Sequence, residues 1–280
     1  MKKVILCLGV YLICSCSAKV VIADETGSSS DDIRLESYIS GIYHQIDFNK
    51  CTPLPYEVFD KAYHGYLNLK IEGKLSTGKE ILTVCDLELA STENRMWIID
   101  LDKKKVLYNT YVAHGQGSGE DYAQSFSNES NTHKTSLGFY VTGETYDGEH
   151  GTSLRLTGMD EGYNDAAMDR GIVVHGADYV SDKFIKGEDH RLGRSWGCPA
   201  VSSKLSLPII NTIKDSTCLF IYYPEHNYLK TSYWLNKRVA KLPENDIYAA
   251  MPAPRTKVIQ YITNGKVDSV VTIPAQAISK

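Results

Sequence analysis

The chain has no long apolar stretch beyond its first residues, no block of basic residues, no His-Glu-x-x-His and no Cys-x-x-Cys. The first absence excludes a multi-span membrane protein, because one crossing takes about 20 apolar residues. The second removes the electrostatic footprint by which proteins hold DNA or RNA, so no nucleic-acid partner is expected. The third and fourth leave a catalytic metal without its usual ligand spacing. His114, His133, His150 and His190 are scattered in polar segments and read as surface residues, so neither metal nor cofactor is expected. What remains is ordinary globular composition: 280 residues, 42% hydrophobic, 23% charged, 21 Gly, 9 Pro and a net charge of −4. Such a chain can bury a sizeable core, as one large domain or two small ones.

The apolar stretch that does exist is N-terminal. Lys2 and Lys3 precede an almost wholly apolar Val4–Ile13, followed by Cys14-Ser15-Cys16-Ser17-Ala18. A charged region, a short apolar core and a small-residue end are the order of a secretory leader, too short to span a bilayer. Cleavage after Ala18 is the plainer expectation. Ile13-Cys14-Ser15-Cys16 also resembles a bacterial lipobox, with Cys14 an unusual occupant, and cleavage before Cys16 would give a lipid anchor to a membrane. Either way the protein is expected to be exported, in the periplasm or cell envelope. Cys51, Cys85, Cys198 and Cys218 then remain in an oxidising compartment where pairing is open to them. Cys85 and Cys218 lie in apolar runs and read as core positions.

Residues 19–32 are polar and read as a linker. Leu35, Tyr38, Ile39, Ile42, Tyr43 and Ile46 recur at helical spacing, and Tyr56, Phe59, Tyr63, Tyr66 and Leu67 predict a second helix entered at Thr52-Pro53. From Ile81 the pattern turns to strands. Met96–Ile99 and Val106–Tyr108 flank a charged tip, a hairpin signal. Phe139–Val141, Ser153–Leu156, Ile172–Val174 and Leu219–Ile221 are further short strands. Leu207–Ile213 reads as a short helix capped by Ser206, with Pro208 in its first turn. The 19 Tyr read mainly as packing residues, although Tyr163 and Tyr179 lie close in sequence to the chemistry below. Many short strands and few helices predict a mainly β domain over roughly residues 75–225.

That chemistry is concentrated in one segment. Gly171-Ile172-Val173-Val174-His175-Gly176 places a histidine at the end of an apolar strand, and Arg194-Ser195-Trp196-Gly197-Cys198-Pro199 places a cysteine between Gly and Pro. A Gly-Cys-Pro turn fixes the backbone and presents the sulfur at a surface. A thiol needs a base or a cation to become a nucleophile near neutral pH, and a histidine on an adjacent strand can serve. Spacing alone is equally compatible with a core histidine and a structural cysteine.

The block from His175 to Val201 resembles the L,D-transpeptidase catalytic domains, the YkuD-type enzymes of bacterial cell walls. Their signature is a strand ending in His-Gly, then Ser/Thr-x-Gly-Cys, here His175-Gly176 and Ser195-Trp196-Gly197-Cys198. The wording Gly193–Val201 is similar to the murein L,D-transpeptidase catalytic domain branch. Trp97–Leu101, Ala113-His114-Gly115, Phe126-Ser127-Asn128, Ser136–Tyr140 and Ser153–Leu156 support that branch. The resemblance covers roughly residues 51–223. It implies an L,D-transpeptidase-type β-sandwich or barrel with a few short helices, preceded by a small helical N-terminal region. The organisation expected is a leader over 1–18, a linker and N-terminal helix over 19–50, a catalytic domain over 51–225 and a C-terminal extension over 226–280.

The resemblance also implies a reaction. Cys198 would attack the carbonyl before the terminal D-amino acid of a peptidoglycan stem peptide, with His175 moving the proton. Backbone N–H groups around Gly197 and Cys198 would meet the oxyanion. Ser195 either bonds within the site or caps the turn. A carbonyl near Gly176 orients the histidine in the family, and Asp178 is a side-chain alternative. The commoner family form has His before Gly-Cys and a basic or amide residue two after the Cys, where this chain has Trp196 and Ala200. Arg194, Arg191 or Arg155 could supply the missing charge, and Trp196, Arg194 and Arg155 are the expected substrate contacts. The acceptor of the acyl group, amine or water, stays open, as does a noncatalytic wall-binding role. The oligomeric state is not legible.

Overall fold

A computed structural model describes residues 19–23, 30–187, 190–243, 256–263 and 266–274. The leader, with Cys7, Cys14, Cys16 and both cleavage sites, lies outside the described residues. Two compact units divide the chain, one of Met1–Arg34 with Met251–Lys280 and one of Leu35–Ala250.

In the first unit, β1 (Lys19–Ala23) pairs antiparallel with a late strand (Thr256–Thr263), which pairs antiparallel with the last (Lys266–Pro274). Residues 19–23, read from their surroundings as linker, are therefore a strand. Val20, Val21 and Ile22 at its centre are β-branched and apolar, which suits a strand.

The second unit holds the candidate chemistry. It opens with α1 (Ser30–Gln45, whose first turn precedes the unit boundary) and α2 (Tyr56–Ile71). α2 starts after Pro55, three residues beyond the expected entrance, because a proline ring pre-sets the first turn and bars helix before it. Its buried face repeats at Phe59, Ala62, Tyr63, Tyr66 and Leu67, the spacing of an amphipathic helix. Tyr43, Tyr56, Phe59, Tyr63 and Tyr66 form a chain of ring contacts with centroids 5.2–5.5 Å apart, so these aromatics pack one helix against the other. Gly65 lets α2 lie directly on the sheet, since a Cβ there would collide with the Phe139 ring.

The strands are β2 (Ile81–Asp86), β3 (Met96–Asp100), β4 (Lys105–Thr110), β5 (Gly138–Gly148), β6 (Gly151–Gly158), β7 (Val173–Ala177), β8 (Ala200–Ser202) and β9 (Cys218–Tyr222). They form one sheet in the order β4-β3-β2-β9-β5-β6-β7-β8. Every residue of β2, β3 and β9 is buried, so these central strands read as continuous apolar runs. Cys85 and Cys218 are free thiols within them, as their apolar settings predict. Beyond β4 the chain crosses to the opposite edge, where Ala113 N–H donates to Ala200 O at 2.8 Å. The sheet thus curls into a near-barrel, mainly β with a few short helices.

After a single helical turn, α3 (Asp182–Ile185), helix α4 (Ser203–Ile213) begins four residues before the expected Leu207, with Pro208 inside it. The N–H that Pro208 lacks would have met a carbonyl on the solvent side, beside the exposed Leu207, where water can serve instead. Residues 224–243 also belong to this unit. Helices α5 (His226–Thr231) and α6 (Tyr233–Asn236) are tied to the sheet by buried Asp160, whose carboxylate accepts from Phe139 N–H at 2.7 Å, Tyr228 Oη at 3.2 Å and Ser232 Oγ at 2.5 Å. Trp234 Nε1 donates to Met159 O at 2.6 Å. A satisfied buried carboxylate of this kind is costly to open, so 226–237 packs as part of the domain.

Candidate active site

The site lies on the edge strands. β7 and β8 are parallel, with His175 opposite Ala200. That register sets Cys198, two residues before Ala200, beside Val173. Val173 N–H accordingly points to Cys198 Sγ at 3.5 Å, and the thiol donates to Gly171 O at 3.8 Å. A second, small apolar cluster of Ala113, Ala177, Val180, Leu192 and Ala200 supports these strands from beneath.

The cysteine turn is held by Ser195. Its Oγ donates to Cys198 O at 2.6 Å and accepts from Gly197 N–H at 3.1 Å. Ser195 is anchored in turn, its N–H donating to His114 O at 3.0 Å and its carbonyl accepting from Gln116 N–H at 2.8 Å. Ser195 therefore caps the turn. Gly197 has φ of 121°, and a Cβ there would lie 2.8 Å from Lys134 O. Only glycine meets both demands at once. Because its N–H is used by Ser195, Gly197 is not a free oxyanion donor, contrary to the sequence expectation.

His175 is only 3% exposed. Its Nδ1 lies 3.0 Å from the carbonyl of Gly176. A carbonyl can only accept, so Nδ1 carries the proton and Nε2 keeps the lone pair, the tautomer a base requires. Burial pushes the ring below its ordinary pKa, so it is neutral at pH 7. The ring of His150, at the β5–β6 turn, stacks on it at 4.3 Å and 21°. Burial pushes the Cys198 thiol up, while Val173 N–H and Arg170 pull it back. Among the described residues no hydrogen bond joins this thiol to the His175 ring. Long or absent catalytic contacts are common before substrate binds.

The remaining candidates divide. Trp196 is the most exposed large apolar side chain of the described residues, at 72%. It stacks on His133 at 4.9 Å and 6°, and His133 Nδ1 is in turn 2.8 Å from Gln116 Nε2. Arg194 bonds Glu120 at 2.7 Å and Gly119 O at 2.9 Å, and Arg191 meets Glu120 at 3.0 Å. Both are committed to holding the 116–120 loop. Arg155 shares the sheet face of Val173 and His175 by register, but pairs with Glu144 at 3.8 Å and lies over the Tyr146 ring. Asp178 accepts from Ser203 Oγ at 2.7 Å, while the carbonyl of Gly176 occupies the orienting place it would have filled. Tyr163 bonds Thr231 at 2.7 Å, among the C-terminal helices. Tyr179 packs under Gly193 and feels the Cys198 charge, with burial taking its hydroxyl to about 12. A cavity of about 920 Å³ opens past the ends of β7 and β8, lined by Asp178, Tyr179, Phe184, Ser203 and Lys204 among others, and not by Cys198 or His175.

Two neighbours carry no sequence signal. Arg170 reaches the cysteine turn because folding brings residues 127–136 around it. His150 reaches His175 only through the length of the β5–β6 hairpin. Among the described residues no group of three His, Cys, Asp or Glu side chains is placed to hold a metal ion.

The site thus sets a thiol, in the turn that leads into β8, near the neighbouring parallel strand β7, which carries an imidazole oriented by its own backbone. A sequence profile of the L,D-transpeptidase catalytic domain matches residues 50–222, more than half of the chain, and the chain belongs to that family. Among solved structures, an L,D-transpeptidase from Mycobacterium smegmatis is 14% identical over 52% of this chain and 59% of its own, with a TM-score of 0.32. One from Mycobacterium tuberculosis is 13% identical over 52% and 58%, with a TM-score of 0.30. One from Stackebrandtia nassauensis is 9% identical over 74% and 96%, with a TM-score of 0.31. The chain thus spans about three-fifths of the length of the mycobacterial proteins. No curated protein matches it.

Proposed function

We propose that this chain is a peptidoglycan-modifying cysteine acyltransferase, an L,D-transpeptidase acting in the cell envelope. The observation that carries the reading is His175 with Nδ1 fixed by the Gly176 carbonyl and Nε2 left as the basic nitrogen, on the strand that pairs with the segment following Cys198. In the reaction, His175 Nε2 takes the Cys198 proton and the sulfur attacks the stem-peptide carbonyl before the terminal D-amino acid. The carbon–nitrogen bond breaks, His175 returns the proton to the departing amine, and a thioester remains. An acceptor amine then attacks the thioester and gives a proton to His175, the carbon–sulfur bond breaks as the new amide forms, and the thiolate takes the proton back. With Gly197 N–H committed to Ser195, the oxyanion falls to the N–H of Cys198. The exposed Trp196 is a substrate contact in this reading, a bare aromatic surface two residues from the sulfur. The leader-like first 18 residues support export, and the family match supports stem peptides as the partner.

Incubation with defined tetrapeptide muropeptides, read by mass spectrometry, tests this. A cross-linked dimer or an exchanged terminal residue supports transpeptidation. A tripeptide alone supports the second reading, an L,D-carboxypeptidase with water as acceptor. Unchanged muropeptides under conditions where Cys198 reacts with a thiol reagent would overturn both.

A further inference from the structure

Arg170 sits where the chain enters β7, and no reading of the linear motifs pointed to it. The thiol of Cys198 rests against the backbone immediately after it, at Gly171 O and Val173 N–H. The guanidinium lies against the residue before the thiol, so that a Cβ on Gly197 would come within 3.4 Å of Arg170 Nη2. It is fixed in place. Nη1 donates to Ser127 O at 2.8 Å and to Ser136 Oγ, and Nη2 donates to Lys134 O at 2.8 Å.

All three acceptors are neutral. Arg155, Arg191 and Arg194 each meet a glutamate, whereas no carboxylate pairs with Arg170 among the described residues. A half-buried guanidinium caged by carbonyl and hydroxyl oxygens keeps its full charge and lacks an anion, an arrangement that costs free energy unless an anion arrives. Three of its five N–H groups are used by the cage. The anion that this site generates is the cysteine sulfur.

We propose that Arg170 is the counter-cation of the Cys198 thiolate, supplying the positive charge that Ala200 does not. The groups facing the thiol are Arg170 and Tyr179, with His175 two residues beyond Val173 on β7; those facing the guanidinium are Cys198 and Tyr140. Both tyrosines are held neutral by burial, so neither competes as the anion. His175 is also neutral at pH 7, which leaves Arg170 as the standing positive charge beside the sulfur. The division of labour follows. His175 moves protons, and Arg170 holds the charge that proton removal leaves behind.

The inference rests on Cys198 being the nucleophile, yet its test needs no peptidoglycan. Iodoacetamide, a neutral electrophile, is reacted with the full chain across a pH series, and modification is mapped by peptide mass spectrometry. Arg170→Gln should raise the pH midpoint of Cys198 modification by about one unit, tenfold less thiolate at a given pH below it, with the high-pH plateau rate kept. Arg170→Lys should hold the wild-type midpoint although it cannot rebuild the cage, and Ser136→Ala, which removes a cage contact but no charge, should also hold it. An unmoved midpoint in Arg170→Gln, or equal shifts in the Lys and Gln variants, would overturn the proposal. Cys85 and Cys218, buried in the central strands, report folding in the same experiment. If their alkylation shows that Arg170→Gln has opened the core, Arg170→Lys decides: a wild-type midpoint supports the proposal, and a raised one overturns it. A muropeptide assay that fails while these shifts appear would refute the proposed reaction and leave the pairing standing.

Discussion

Acid should loosen this site through a residue that is not part of its chemistry. His114 is 1% exposed and its Nδ1 accepts from Arg95 Nη2 at 2.7 Å. It cannot accept that bond once protonated, and burial with the Arg95 charge takes its pKa from 6.5 to about 3. The folded pKa is below the unfolded one, so the unfolded chain binds the proton first and stability falls as pH drops below about 6.5. With these two values the loss attributable to His114 is near zero at pH 7.5 and about 2 kcal/mol at pH 5. In a unit of this size that is a fall of about 4–8 °C in Tm. Asp86 works the other way, since burial raises its carboxyl to about 6 and folding is favoured as it gains a proton. The wild-type slope alone therefore does not isolate His114. His114→Asn does, because an amide oxygen can still accept from Arg95 and cannot titrate. The variant should be the less stable protein at pH 7.5, and the gap should narrow by about 2 kcal/mol on going to pH 5. Melting curves of both proteins across pH 5–7.5 measure this. A gap independent of pH would refute a buried neutral His114. The consequence reaches the cysteine turn, because the same residue's carbonyl holds Ser195 N–H.

The strand that carries His175 and the turn that carries Cys198 were legible because their information is local. Val173–His175 is an apolar run ended by glycine, and Ser195–Pro199 is a turn whose residues bond one another. The central strands were legible for the same reason: burial on both faces leaves unbroken apolar runs at β2, β3 and β9. What failed to show was any pairing between distant residues. Arg194 lies four residues before Cys198 and suggests a substrate contact, but its charge is taken by Glu120, 74 positions away. Arg170 had nothing to recommend it, since the oxygens that aim it come from residues 127–136. His150 does lie in an exposed turn, as its polar setting predicts, but its stacking on the distant His175 has no local signal. Pro208 misled in a different way. Proline is a good marker of a first turn, yet a helix tolerates it further in where the orphaned carbonyl faces water. The same locality hides the packing of 226–237, whose ties to Asp160 and Met159 cross more than 65 residues.

Four substitutions bear directly on the site. Cys198→Ala should remove turnover while leaving the melting curve nearly in place, because the side chain is only half-buried, and His175→Gln should cost about 10²- to 10⁴-fold in rate; residual turnover in the first variant near the wild-type rate would end the case for this nucleophile. His150→Ala should raise the pKa of His175, since it uncovers the ring and removes a like charge, and both changes favour the protonated form. The acid limb of the activity profile should then move toward neutral pH, and an NMR titration showing His175 unmoved or lowered would contradict the stack. Gly197→Ala separates backbone strain from chemistry. Its φ of 121° is outside what an alanine adopts cheaply, and its Cβ would press to 2.8 Å from Lys134 O, so the turn must shift. The strain costs on the order of 1–3 kcal/mol. Gly162→Ala is the control, because Gly162 also has positive φ, at 77°, but open space around it. It should lose about 1 kcal/mol and keep its activity. Gly197→Ala should lose more stability than the control and nearly all activity, because the shift displaces the neighbouring sulfur from Val173 N–H and from Arg170. Equal stability and equal turnover in the two variants would mean that the turn does not need glycine, and that the sulfur is not held where this argument places it.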